Sequence, residues 1–264
     1  MAHTVPFTSR SPAWAPPLLA VQFLTRIPVP VLAKLSREQI DDGLARAMAW
    51  LPLVGTLIGL TSAAVFVVAS MVWPAIIAAL LSLGVEVLLT GFFHEDAVAD
   101  FFDAFGGTAR GENALRIMRD SRIGSYGTVG LTLALGLRVA AFVTLSPSLV
   151  VAAVIAAATI GRLWAVLLNV ILPPPSSDGD TATRMGRSIP RSCAVRGVLL
   201  AIPGCVPLAL IRPGVLLLSA AIGLAFLLWI VKFLRDRIGG STGDCLGFAA
   251  YAGQLSVLLI AAAG

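Results

Sequence analysis

Seven apolar stretches divide the chain, at 51–72, 75–93, 128–145, 149–172, 198–211, 215–231 and 246–263. A helix needs about 20 mostly apolar residues to cross a hydrocarbon core of ~30 Å. Each stretch reaches or approaches that length, so the pattern predicts an all-α, polytopic transmembrane bundle of about seven spans. The fifth is short and contains Pro203 and Pro207, which predicts a kinked helix or one merged with its neighbour and leaves six to eight spans. Upstream, the patch at 18–35 is broken by Arg26, Pro28 and Pro30. It is too short to span and reads as an interfacial segment.

The connections alternate in character. Trp73-Pro74, Ser146-Pro147-Ser148 and Arg212-Pro213-Gly214 are tight turns, whereas 1–50, 94–127, 173–197 and 232–245 are long and charged. Only Arg138, Arg162 and Arg212, of nineteen Lys and Arg, fall outside the long segments. Positive charge resists translocation, so one orientation satisfies every loop: N-terminus and long linkers cytoplasmic, short turns outside, in the cell (inner) membrane. No soluble domain or repeat emerges; 1–264 reads as a single integral-membrane domain, with 1–50 as its cytoplasmic or interfacial N-terminal segment. The start lacks a basic region leading into an apolar one, so no cleavable signal is expected. The segment PPPSSDGD (173–180) reads as a flexible linker.

Composition agrees. The chain of 264 residues is 58% hydrophobic and 12% charged, with a mean hydropathy of +0.92, against about 25% charged residues in soluble domains. The net charge of +5 reflects cytoplasmic Lys and Arg rather than nucleic-acid binding. Cys193, Cys205 and Cys245 have neither CxxC spacing nor a nearby histidine; they read as small packing residues, not a zinc site or a disulfide framework.

Chemistry concentrates in HEDAVADFFDAFGG (94–107). Asp96, Asp100 and Asp103 stand at i, i+4 and i+7, within about 60° of one helix face. Three carboxylates on one stripe repel unless a cation neutralises them, and hard oxygen ligands suit Mg²⁺ or Mn²⁺. The bland alternative is a solvated acidic face. His94 projects from the opposite side of the helix, where a structural role is the simpler reading. Downstream, Arg110, Arg116, Arg119 and Arg122 punctuate the linker. Guanidinium forks match phosphate geometry, so a short helix bearing them beside the acidic stripe would clamp a pyrophosphate. Positive-inside topology alone accounts equally well for their number. Arg162 lies within the fourth span, where a charge is costly and usually paired or functional. GGSTGDCLG (239–247) precedes the last span; its glycines permit close backbone approach to a ligand, and Asp244 is suited to metal or a ribose hydroxyl. Glu86 and Arg138 either pair or serve separate contacts.

Taken in order, QFLTRIPVP (22–30), WLPLVGTLIG (50–59), LLTGFFHEDAVADFFDAFGG (88–107), IMRDSRIGSYG (117–127), GR-W (161–164) and GGSTGDCLG (239–247) resemble cobalamin synthase, the membrane-bound adenosylcobinamide-GDP ribazoletransferase family. The family's acidic motif carries glycine where this chain has Ala97 and Ala104. The resemblance implies a Mg²⁺-dependent transferase (Mn²⁺ being the alternative ion). It joins α-ribazole, or its 5′-phosphate, to adenosylcobinamide-GDP and releases GMP. It also implies roles: Asp96, Asp100 and Asp103 for metal; Asp100, Asp103 and His94 as catalytic candidates; Arg116, Arg119, Arg122, Arg162, Thr242 and Asp244 for substrate and phosphate. The partners are those substrates and membrane lipid, without nucleic acid, and a homo-oligomer stays open.

The nearest rival is a CDP-alcohol phosphotransferase. The stretch Asp42-Gly43-Leu44-Ala45-Arg46 imitates the start of that signature, but Gly59 and Ala63 stand where its later aspartates belong. A transporter reading, prompted by Glu86, Arg138 and Arg162 inside the apolar stretches, does not require aspartates and arginines interleaved in one linker.

Overall fold

The structure, a computed structural model, describes residues 10–174 and 189–263. Among them eleven α-helices and two short 3-10 turns account for the regular structure, with no strand. Helix α1 (Ala15–Leu24) and a 3-10 turn at Pro30–Lys34 occupy the patch expected to be interfacial. Amphipathic α2 (Arg37–Ala47) follows, opened by a capping box in which Ser36 and Gln39 satisfy each other's backbone N–H. Asp42 and Arg46 of α2 bind Ser11 and each other, fastening the N-terminal segment to the body.

The apolar stretches become α3 (Leu51–Ser70), α4 (Ala75–Thr90), α7 (Ser125–Thr144), α8 (Pro147–Ile171), α9 (Arg191–Ile211), α10 (Pro213–Ile238) and α11 (Gly243–Ala262). Six helical segments are long and apolar enough to cross a membrane, and a seventh is added if α4 and the helix after it count as one broken span. Helix α8 is the axis of the bundle. It is buried along most of its length and packs against α3, α9 and α11. The fifth stretch is neither short nor merged. It is one helix of 21 residues with Pro203 and Pro207 inside it, because the pattern-based start missed the polar turns from Arg191 onward.

The second stretch breaks earlier than its hydrophobicity suggests. Gly91 (φ 67°) and Phe92 (φ 64°) both adopt the left-handed conformation. Helix α5 (Phe93–Phe105) therefore leaves α4 at 89° and lies across the end of the bundle instead of prolonging the span. The Arg26 N–H donates to the Leu89 carbonyl (2.8 Å) and braces the corner. A side chain on Gly91 would run into the Arg26 guanidinium.

The described parts of the connections between α5 and α7 and between α10 and α11 meet at this end. Short α6 (Gly111–Met118) packs against α5 and α10. Arg237, near the end of α10, donates to the Ala109 carbonyl (2.9 Å), and Ser241 donates to the Leu172 carbonyl at the end of α8 (2.5 Å). The Cys193 thiol faces the Ala45 carbonyl. All three cysteines are free, and Cys193 and Cys245 are buried as packing residues. In the linker read as flexible, Pro173 and Pro174 follow α8 without regular structure, and its remainder lies outside the described residues.

Candidate active site

The acidic segment forms the expected helix, and tertiary packing decides which face it shows. Ala97, Val98, Phe101, Ala104 and Phe105 are buried; Phe101 stacks face to face on Phe248 of α11 (centroids 3.7 Å apart, planes within 2°). Ala97 and Ala104, which replace motif glycines, belong to this buried side. The Ala97 methyl fits because Gly247 opposite has none; a Cβ there would come within 2.5 Å of it. Asp96 is thereby left exposed, with Asp100 and Asp103 partly buried.

The charges reinforce one another. Burial first, then the neighbouring Asp96, Asp244 and Asp103, push the Asp100 carboxyl from its ordinary 3.8 up to about 7. The GGSTGDCLG loop therefore adds a fourth acid to the stripe. Its Thr242 is spent locally: the hydroxyl caps α11 by accepting from Cys245 N–H (3.3 Å) and lies 2.9 Å from Met118 Sδ.

Asp103 does something the stripe alone did not suggest. Its two carboxylate oxygens accept the N–H groups of Gly124 (2.7 Å) and Gly127 (2.8 Å), capping the N-terminus of α7 from another helix. Each oxygen retains a lone pair. A Cβ at Gly124 or Gly127 would stand in the Asp103 carboxylate, which explains both glycines of IGSYG.

This cap fixes the arginine segment beside the acidic helix. Arg116 lies in the last turn of α6, Arg119 caps it, and Arg122 precedes the bound Gly124 by two residues; all three are exposed. Arg122 donates bidentately to Asp120 (Nε 2.9 Å, Nη2 2.6 Å). These bonds hold the Asp120 carboxyl near 2 and orient the guanidinium.

His94 and Arg162 lie on the other side of α5. His94 is buried edge-on to Phe93 (5.4 Å), and burial, then the nearby Arg162 charge, keeps its imidazole neutral well below the usual range. Arg162 donates to Gln254 (2.5 Å) and Ala158 O (3.3 Å) and lies 3.8 Å from Glu86. Glu86 pairs with Arg138 and accepts from Gln254 Nε2 (2.8 Å), while Glu95 stands 3.9 Å from Arg138. Two arginines and two glutamates thus balance in the apolar interior, as buried charges must. Glu86 and Arg138 do pair. Glu95 and Gln254 were missed by reasoning from the sequence, although a glutamine inside an apolar span is itself a signal for an interhelical bond.

Between α1, α2, α5, α8 and α11 lies a cavity of about 520 Å³ whose walls include His94, Arg162 and Asp244. Asp244 therefore faces both the cavity and the acidic cluster. Among the described residues, no three His, Cys, Asp or Glu side chains converge into a ready-made metal cage. The mutual repulsion felt by Asp100 is nonetheless what a bound cation would relieve, and carboxylate oxygens are the donors a hard ion takes.

Fold and site together define a multi-pass helical membrane protein with clustered carboxylates and an arginine-bearing loop at one end. The particular family follows from comparison: the model described as cobalamin-5-phosphate synthase matches residues 16–262, and the chain belongs to that family. Relatives named adenosylcobinamide-GDP ribazoletransferase include one from Shewanella frigidimarina, 38% identical over 92% of both chains. Another from Azorhizobium caulinodans is 42% identical over 86% of this chain and 88% of its own. A third from Bradyrhizobium diazoefficiens is 38% identical over 93% and 92%. No solved structure matches.

Proposed function

We propose that this protein joins α-ribazole, or its 5′-phosphate, to adenosylcobinamide-GDP and releases GMP. Full-length similarity to relatives bearing that activity's name supports the reading. The observation that carries it on this chain is the acidic cluster of Asp96, Asp100, Asp103 and Asp244, with the segment that bears Arg116, Arg119 and Arg122 joined to the acidic helix through the Asp103 cap. The reaction is an in-line displacement at phosphorus. The ribazole ribose hydroxyl attacks the cobinamide-side phosphorus, its proton passes to a base, and the bond to the GMP oxygen breaks.

Asp96 and Asp100 would hold Mg²⁺ together with pyrophosphate oxygens; when bound, the ion neutralises charge on the transferring group. An oxygen of Asp100 that the ion leaves free would be available to take the hydroxyl proton. Asp103 positions the arginine loop and retains lone pairs toward the same site. The arginines neutralise the GDP phosphates, with Arg122 oriented by Asp120. Asp244 stands where a nucleoside hydroxyl would enter from the cavity. Clustering of basic residues in the long connections supports a cytoplasmic site in the inner membrane, the side from which nucleotide substrates arrive.

The test is GMP release by membranes given adenosylcobinamide-GDP and α-ribazole, with and without Mg²⁺. Turnover is expected only with the ion, and Asp96→Asn should abolish it without loss of membrane insertion. A near-normal rate in that variant refutes the metal assignment.

A further inference from the structure

The reading above leaves unassigned where the base of the incoming nucleoside goes. Resting on that reading, we infer that the cavity between α1, α2, α5, α8 and α11 is the seat of the ribazole base, with its ribose directed at Asp244.

The cavity's volume of about 520 Å³ falls in the range of small-ligand pockets, ~300–1,000 Å³. It holds a bicyclic base and sugar but not a corrin with its side chains. Its walls are largely apolar, with Leu19, Phe23, Leu44 and Ala250 among them. Guanine carries a full edge of donors and acceptors and would lose most of its hydrogen bonds there; a dimethylbenzimidazole carries one unsubstituted ring nitrogen and two methyl groups. The polar wall groups match that sparse demand. Arg162 is already engaged by Glu86, Gln254 and Ala158. His94 is buried, and none of the hydrogen bonds among the described residues uses its imidazole, so its ring N–H can donate to the base nitrogen. Asp244 belongs both to the cavity wall and to the charges acting on Asp100. A nucleoside seated base-first therefore presents its sugar to the reacting end.

The experiment uses full-length protein in nanodiscs and Leu44→Trp, which fills the cavity from α2, away from the acidic cluster. The KM for α-ribazole should rise at least tenfold, while kcat and the KM for adenosylcobinamide-GDP stay within threefold. Wild type should also prefer the dimethylbenzimidazole riboside over the unsubstituted benzimidazole riboside by about 15-fold in kcat/KM, from about 0.8 kcal/mol per buried methyl. Equal rises in both KM values, a rise for adenosylcobinamide-GDP alone, or no change (the cavity holding only lipid) would overturn the assignment. Leu44→Ala covers failure of the tryptophan variant to fold: it should erode the methyl preference, and an unchanged preference counts against the proposal. If wild type releases no GMP, the proposed activity fails separately. Calorimetric binding of α-ribazole then decides the cavity, with loss in Leu44→Trp in favour and unchanged affinity against.

Discussion

Replacing Asp100 with asparagine should make the protein more stable and inactive at once. The carboxyl is raised from 3.8 to about 7, by burial and then by Asp96, Asp244 and Asp103. Fully buried, such a displacement would correspond to about 4 kcal/mol of charge penalty. The side chain is only half-buried, so solvent screening reduces it to about 2 kcal/mol. For an acid whose affinity for protons is higher folded than unfolded, the native state binds more protons between the two values, so stability falls as pH rises from about 4 to 7 and the penalty is complete above 7. Asp100→Asn removes it. At pH 8 with chelator, the variant should melt about 5 °C above wild type, and near pH 4 the two should coincide. Tryptophan-fluorescence melting in nanodiscs reads both. Mg²⁺ should raise the wild-type midpoint at pH 8 and leave the variant's nearly unmoved. Equal or lower stability of Asp100→Asn at pH 8 without metal refutes the claim that these carboxylates crowd one another.

Two further substitutions probe the frame around the cluster. Gly127→Ala places a methyl against the Asp103 carboxylate and within 2.8 Å of the Ala99 carbonyl; it should cost about 1–3 kcal/mol by overpacking and lower turnover by dislodging the arginine segment, read by thermal melting and GMP release. Glu86→Ala leaves Arg138 with only the more distant Glu95 at 3.9 Å and removes the carboxylate beside Arg162 and Gln254, so two arginines face one glutamate. A loss of about 3–5 kcal/mol is expected from the orphaned buried charge, seen as a lower melting midpoint and reduced yield of inserted protein.

The linear pattern determined the class of this protein. Burying so many apolar residues with so few charges leaves lipid as the only solvent for most of the surface, and hydrophobic runs of span length with basic connections follow from that. It also determined the acidic helix, since the 3.6-residue period alone puts Asp96, Asp100 and Asp103 on one face. Spacing of this kind is local, and local geometry is legible without a fold.

Tertiary structure decided what depends on distant partners. The corner at Gly91-Phe92 lies inside a continuous apolar run and shows only in backbone conformation. That Asp103 caps α7, that Asp244 joins the cluster, that Glu86 serves both arginines, and that His94 lines a cavity are all facts of helices meeting across long stretches of chain. Hydropathy records whether a residue prefers lipid or water. It carries no information about which buried charge finds which counter-charge, because in a low-dielectric interior that choice is set by a few ångströms of helix placement.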